Sequence, residues 1–253
     1  MALSTPWHIR LALSLAALFC FTLTAIPARA LTTAELEKQA QLLSDFLVAG
    51  RGVVAQSIPK YGINDAAKGD KGFTPAMFVQ DINAEFLAAT GIDLQAGTSA
   101  EPLPGNTLAL LQDLLDISRQ VCAENQELIN MPGIGFKGFI PATYGKMVGE
   151  MFKTRSGIDI KQTSLHNRNA YNAPDTFENE MLTKMEAAGW PRNQVATQAA
   201  DGSFRLVRPL YVENACLSCH GDPVGELDVA GRKKEGYREG DLRGAISVKI
   251  PAR

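Results

Sequence analysis

Two cysteines separated by two residues and followed directly by a histidine are the most chemically specific stretch of the chain. They are Cys216, Cys219 and His220, in the sequence CLSCH. C-x-x-C-H is the pattern by which haem c is attached: two thiols add to the porphyrin vinyl groups, and the histidine reaches the iron. We therefore predict one covalently attached haem c, with the two cysteines as thioether anchors and His220 as the proximal ligand.

A zinc site and a redox dithiol are the alternative interpretations of these cysteines. Zinc would require four ligands, and the chain contains no second C-x-x-C and no H-x-x-x-H pair. A redox dithiol would favour thioredoxin-like βαβ flanks, whereas the flanks here have the pattern of antiparallel strands. Haem c is therefore favoured over both.

The sequence leaves the distal iron ligand open between two residues. No Met, His or Cys follows His220, which excludes a distal methionine downstream of the motif. Cys122 lies on the apolar stripe of a predicted helix, and His166 ends a predicted strand. The spacing alone favours neither residue, while the methionines upstream are more typical of core packing.

The first thirty residues have the composition of a secretory signal peptide. Arg10 precedes the apolar run LALSLAALFCFTL, and Ala28-Arg29-Ala30 forms an A-x-A cleavage site. No later apolar run is long enough to span a bilayer. We therefore expect a periplasmic or otherwise exported protein that is soluble after cleavage. Loss of Cys20 leaves three cysteines, an odd number that does not indicate a disulfide framework.

The net charge of the chain indicates which classes of partner to expect. The 253 residues carry a formal net charge of −2, without a basic bias, which argues against nucleic-acid binding. We expect instead a separate redox or signalling protein as partner, since no kinase, methyl-accepting or cyclase segment follows the haem motif. The oligomeric state is not indicated.

The periodicity of the chain changes from helical to alternating near residue 159. Helices are predicted at 33–58, 76–90 and 107–130. Beyond them the pattern predicts a strand at 159–166, a helix at 174–189 ending at Gly189, a hairpin at 194–212 turning at Asp201-Gly202, and a strand at 244–251. This order of elements predicts an α+β fold with long N-terminal helices.

An internal repeat lies within the helical half. Residues 71–93 align without gaps to 137–159, with nine of 23 positions identical and a shared K-G-F-x-P-A. The predicted organisation is a signal peptide at 1–30, a helical N-terminal extension at 31–100 that partly repeats 107–159, and a haem domain at 101–253.

Three motifs resemble those of the exported haem-c domains with a PAS-like fold, the Tll-type cytochrome-like sensor domains. They are SLHNRNAYNAPDTFE, CLSCHGDP and GDLRGAIS. The resemblance is clear over 161–251 and extends back to about 107. One departure is Ala170, where the pattern usually has proline.

The resemblance implies an antiparallel sheet with flanking helices and a haem attached beside the sheet. It also implies a helix cysteine as the distal ligand, which favours Cys122 over His166. Arg168 becomes a candidate partner for a haem propionate, while Asn172 and Glu178 are assigned to turn and helix-cap chemistry. The implied function is a sensor of redox state or of a diatomic gas. A low-potential electron carrier and a peroxidase-like enzyme are the alternatives, and an enzyme is the less favoured class.

Overall fold

Four helices make up the first half of the chain in a computed structural model that describes residues 29–187, 190–200 and 202–252. They are α1 (Thr33–Tyr61), α2 (Pro75–Thr90), α3 (Thr107–Asn130) and α4 (Pro141–Ser156). The two-residue strands β1 (Ile92–Asp93) and β2 (Thr98–Ser99) pair between α2 and α3. The predicted signal peptide lies almost wholly outside the described residues.

The helix ends follow from local sequence. Thr32 caps α1: its hydroxyl accepts from the Glu35 amide at 3.3 Å, and the Glu35 carboxylate accepts from the Thr32 amide at 2.8 Å. This reciprocal arrangement satisfies two amides that have no partner inside the helix. Gly62 ends α1 in the left-handed conformation at φ 65°, which glycine adopts without steric cost.

A four-stranded antiparallel sheet forms the second half. Its strands are β3 (Asp159–Thr163), β4 (Ala196–Ala200), β5 (Ser203–Tyr211) and β6 (Leu242–Pro251), in the spatial order β3-β6-β5-β4. Helix α5 (Thr176–Glu186) precedes β4, and the short α6 (Leu217–His220) lies between β5 and β6. The predicted α+β fold is confirmed. Asp201 of the predicted turn and Gly189 of the predicted helix end lie outside the described residues.

Helices cover both faces of this sheet. On one face α1 packs on β5 and β6, and α4 packs on β3. Helix α4 can lie close to β3 because Gly149 has no side chain. A Cβ at this position would collide with the Ile160 carbonyl oxygen. On the other face α5 buries Phe177 and Leu182 against Val207 and Ala245. Helix α3 packs on α1, α2 and α4.

The two copies of the internal repeat contact each other reciprocally. The Asn64 side-chain oxygen accepts from the Lys137 amide at 3.1 Å, and the Asn130 oxygen accepts from the Lys71 amide at 3.2 Å. Both lysine side chains are buried. Asn64, after α1, therefore binds the segment that precedes α4, and Asn130, at the end of α3, binds the segment that precedes α2.

The N-terminal helices and the sheet cluster together. Residues 31–253 form one compact unit, in which α1 lies directly on the sheet. The boundary predicted near residue 100 stays a prediction. In the part of the chain that the structure describes, no helix combines the length and hydrophobicity needed to cross a bilayer.

Candidate functional site

The C-x-x-C-H motif lies on one continuous helical stretch at the end of β5. A 3₁₀ turn at Asn214–Cys216 runs into α6, so that Cys219 and His220 follow Cys216 by three and four residues. Side chains at these spacings share one helix face. Both cysteines are free thiols and half-buried. The helical stretch therefore places each of Cys219 and His220 about one turn from Cys216.

The imidazole of His220 is held by a carboxylate. Its Nδ1 lies 3.0 Å from Glu235 Oε2. Burial and the nearby Arg243 lower the pKa of His220, and the opposing effect of Glu235 does not reverse this. Burial would raise the pKa of Glu235, but Arg168 and His220 lower it overall. At neutral pH a neutral His220 therefore donates from Nδ1 to an ionised Glu235, which leaves Nε2 free.

Arg168 fastens Glu235 to the motif. Its Nε and Nη2 donate to the two Glu235 oxygens at 2.5 and 2.6 Å, and its Nη1 donates to Asp228 at 2.6 Å. Nη2 also lies 2.8 Å from the Cys219 carbonyl oxygen. The guanidinium thus ties the segment before α5 to the motif and to the loop that follows the motif. Such forked contacts use the planar geometry of arginine.

Backbone contacts attach the same loop to the motif. The Tyr237 amide donates to the His220 carbonyl at 2.9 Å, and the Gly236 amide donates to the Gly221 carbonyl at 3.2 Å. Gly221 itself must be small, because a Cβ there would lie 2.8 Å from the Leu217 carbonyl. The Tyr237 ring meets the His220 ring edge-on at 6.3 Å.

These residues fit a covalently held haem. The donor set consists of two uncombined thiols on one helix face and a neutral imidazole whose free nitrogen is Nε2. A histidine that binds iron through Nε2 commonly donates its other nitrogen to a carboxylate or carbonyl, which fixes the tautomer. Among the described residues no group of three or more His, Cys, Asp or Glu side chains is arranged to hold a bare metal ion.

His166 lies near the motif, and its hydrogen bonds among the described residues are made by its backbone. Its amide donates to Ser164 at 3.3 Å, and its carbonyl accepts from Arg243 at 3.4 Å. It lines a small cavity together with Arg243 and Tyr237, the residue that packs on His220. Its role as distal ligand stays a prediction.

Cys122 is placed in the helical core. It is fully buried on α3, as its position on the apolar stripe predicted. Burial raises the pKa of its thiol to about 12. In the described part of the chain no hydrogen bond, ion pair or ring contact joins Cys122 to the motif, and on the face of the sheet opposite α5 the helix that packs on β5 and β6 is α1. Distal ligation by Cys122 stays a prediction.

The other residues of the first motif have structural roles. Asp175 caps α5, and Glu178 completes the capping box three residues later. Glu178 also accepts from the Thr163 hydroxyl at 3.1 Å. The assignment of Glu178 to helix-cap chemistry is confirmed. Asn172 ends a 3₁₀ turn, where its backbone carbonyl accepts from the Ser164 amide at 3.1 Å.

Sequence reasoning missed Glu235 and Asp228. Both lie in the polar loop between the motif and β6, among several other charged residues of the same appearance. The available signal was their proximity in sequence to C-x-x-C-H, which does not single out one carboxylate.

Comparison with known proteins gives a family and a structural neighbour. A family model described as Tll0287-like (Tll0287) matches residues 29–251. The match begins at residue 29, so the similarity includes the N-terminal helices, which the three motifs did not indicate. The crystal structure of the cyanobacterial heme-protein Tll0287 is 21% identical, with 58% of this chain and 93% of that chain covered at a TM-score of 0.39. No curated protein matched.

Proposed function

Because the chain belongs to the Tll0287-like family, we propose that it is an exported mono-haem c-type protein that acts as a sensor of redox state or of a diatomic gas. Cys216 and Cys219 hold the haem through thioether bonds, and His220 is the proximal ligand. A haem bound there would supply a redox-active iron. Cys216 and Cys219 would anchor it, His220 would bind the iron, and Glu235 would hold the imidazole and set its charge.

One observation carries the haem assignment: His220 Nδ1 is engaged by Glu235 at 3.0 Å, on the same helical turn as two free thiols. This arrangement presents Nε2 as a neutral donor beside two potential thioether sites. The name of the structural neighbour, a heme-protein, agrees with this reading.

The attachment is tested by producing the full chain in a host that exports it and attaches haem c. The intact mass should equal the chain after signal cleavage plus one haem, and the alkaline pyridine spectrum should be that of a thioether-linked haem. Cys216→Ala with Cys219→Ala should abolish the covalent haem. Cys122→Ala is the matched control and should retain it. A wild-type chain without covalent haem would contradict the assignment.

The sensor role is supported by an α+β fold with helices on both faces of one antiparallel sheet, beside which the motif lies. A sensor must also bind its signal. Reduced protein should therefore bind CO or NO, with a shift of the Soret band within seconds of mixing. Absence of binding over hours would exclude gas sensing and leave the redox role. Signals would pass to a separate protein partner.

A low-potential electron carrier is the second candidate, and the Glu235 carboxylate favours it. An ionised carboxylate on Nδ1 gives the imidazole more negative character, which stabilises ferric iron and lowers the potential. A haem that remains six-coordinate and inert to CO, with a low midpoint potential, would support the carrier.

A further inference from the structure

Arg51 of α1 is a half-buried cation with one protein partner. Its guanidinium donates to the Gln162 side-chain oxygen of β3. Among the described residues this is its only hydrogen bond, and it has no ion pair, although a guanidinium carries five N–H donors. Its remaining N–H groups are therefore available to an anion, which a guanidinium can bind through paired N–H donors.

A chain of contacts leads from Arg51 to the haem motif. Its partner Gln162 lies two residues before Ser164, whose hydroxyl accepts from Arg243 at 2.8 Å, and Arg243 lies 4.0 Å from Glu235, the partner of His220.

The charged or titratable groups that influence Arg51 are Cys216, Arg243 and Glu213. Burial is the main cause that lowers its pKa to about 10; Cys216 and Glu213 oppose this effect, and Arg243 adds to it. Glu213 is not within ion-pair distance, and a second cation nearby increases the need for an anion.

The contact with Gln162 positions Arg51. Gln162 is only 6% exposed, and its amide nitrogen donates to the Ala142 carbonyl at 2.9 Å. Gln162 also packs against Gly145, where a Cβ would lie 2.9 Å from its amide nitrogen. The guanidinium is therefore held by a side chain that cannot easily move.

Space is available on α1 next to Arg51. A Cβ added at Gly52 would meet nothing within 4 Å. Val48 and Ala55, three and four residues from Arg51, are only half-buried although they are apolar and on a helix whose other face is in the core. Small and apolar side chains beside a fixed cation suit a flat apolar ring with a carboxylate at its edge.

We propose that Arg51 pairs with a propionate carboxylate of the haem attached at Cys216 and Cys219. This rests on the proposed function. Arg168, the propionate candidate from sequence, has its donors occupied by Glu235, Asp228 and the Cys219 carbonyl. Arg51 gives one hydrogen bond, to Gln162, and this leaves N–H groups for a carboxylate. A guanidinium matches a carboxylate in charge and in planar geometry. Helix α1 thereby contributes to the haem site.

The test is the midpoint potential of the haem-loaded full chain and its dependence on pH. Arg51→Gln should lower the ferrous-to-ferric equilibrium constant about tenfold, equivalent to about 59 mV for one electron, because an unpaired propionate stabilises ferric iron. The freed propionate should also titrate, so the midpoint should vary more steeply between about pH 5 and 8 than in wild type. Arg51→Lys should retain most of the wild-type midpoint.

Controls separate this inference from the proposed function. Arg119→Gln makes the same change on the exposed surface of α3 and should leave the midpoint unchanged. Arg51→Met, which keeps an apolar stem for helix packing, is the second neutral variant if Arg51→Gln does not fold. A haem-loaded Arg51→Gln or Arg51→Met with the midpoint and pH profile of Arg119→Gln would overturn the pairing alone. A wild-type chain without haem would overturn the proposed function as well.

Discussion

Replacing Glu235 with glutamine removes the negative charge behind the proximal histidine while keeping the size of the side chain. The Glu235 carboxylate accepts three hydrogen bonds: one from His220 at 3.0 Å and two from Arg168 at 2.5 and 2.6 Å. A glutamine can still accept from His220 through its amide oxygen. The position of the His220 ring should therefore be kept, while the negative charge beside it is lost.

The size of the effect follows from these contacts. Hydrogen bonds to a charged group contribute about 1.5–3 kcal/mol, and those between neutral groups about 0.5–1.5 kcal/mol, so each weakened bond loses about 1 kcal/mol. Applied to the iron, a loss of about 1.4 kcal/mol in ferric stabilisation is a tenfold change in equilibrium constant, or about 59 mV for one electron. Glu235→Gln should raise the midpoint potential by about this amount, opposite in sign to Arg51→Gln.

A potentiometric titration of the haem-loaded protein measures this shift. Glu226→Gln is the matched control, because Glu226 lies in the same loop but is exposed, and among the described residues its carboxylate pairs only with Lys234. A Glu235→Gln midpoint that moves no further than that of Glu226→Gln, or that falls, would refute the role of Glu235 as the group that holds His220.

Three further predictions test the rest of the structure. Cys122→Ala should change the ferric spectrum from a low-spin thiolate type to a high-spin or His/water type if Cys122 is the predicted distal ligand, and an unchanged spectrum would remove it as ligand; in haem-free protein the same change should lower the free energy of unfolding by about 1–2 kcal/mol through the cavity it leaves. His220 has a pKa below its usual value in the folded chain, so the unfolded chain binds more protons, and haem-free protein should be less stable in urea at about pH 5 than at about pH 7.5; equal stability at the two values would contradict the neutral His220. Asn64→Ala and Asn130→Ala should each cost about 1 kcal/mol in thermal or urea unfolding, and a double mutant that costs much less than their sum would argue against two separate contacts.

The helices and the haem motif could be predicted from sequence because they depend on local patterns. Helix α3 runs over Thr107–Asn130, the range that its apolar stripe predicted. The sheet followed from alternation and from the hairpin. These patterns involve residues only a few positions apart, so they can be identified in the sequence alone.

The surroundings of the motif could not be predicted because they depend on contacts between distant residues. Arg168 meets Glu235 across 67 residues, and Arg51 meets Gln162 across 111. The sequence also did not indicate which helix packs on the sheet. Helices α1 and α3 both carry an apolar stripe, and periodicity does not say which of them lies on the sheet.

The reciprocal bonds of Asn64 with Lys137 and of Asn130 with Lys71 have a consequence for assembly. The helix pairs α1–α2 and α3–α4 exchange two equivalent contacts, as the halves of a dimer do, but here they are joined in one chain. The linkage replaces an encounter between molecules by one within a molecule, at an effective concentration on the order of millimolar for short connections. The N-terminal pair therefore behaves as a permanently tethered subunit, and its affinity for the second pair does not depend on the abundance of the protein.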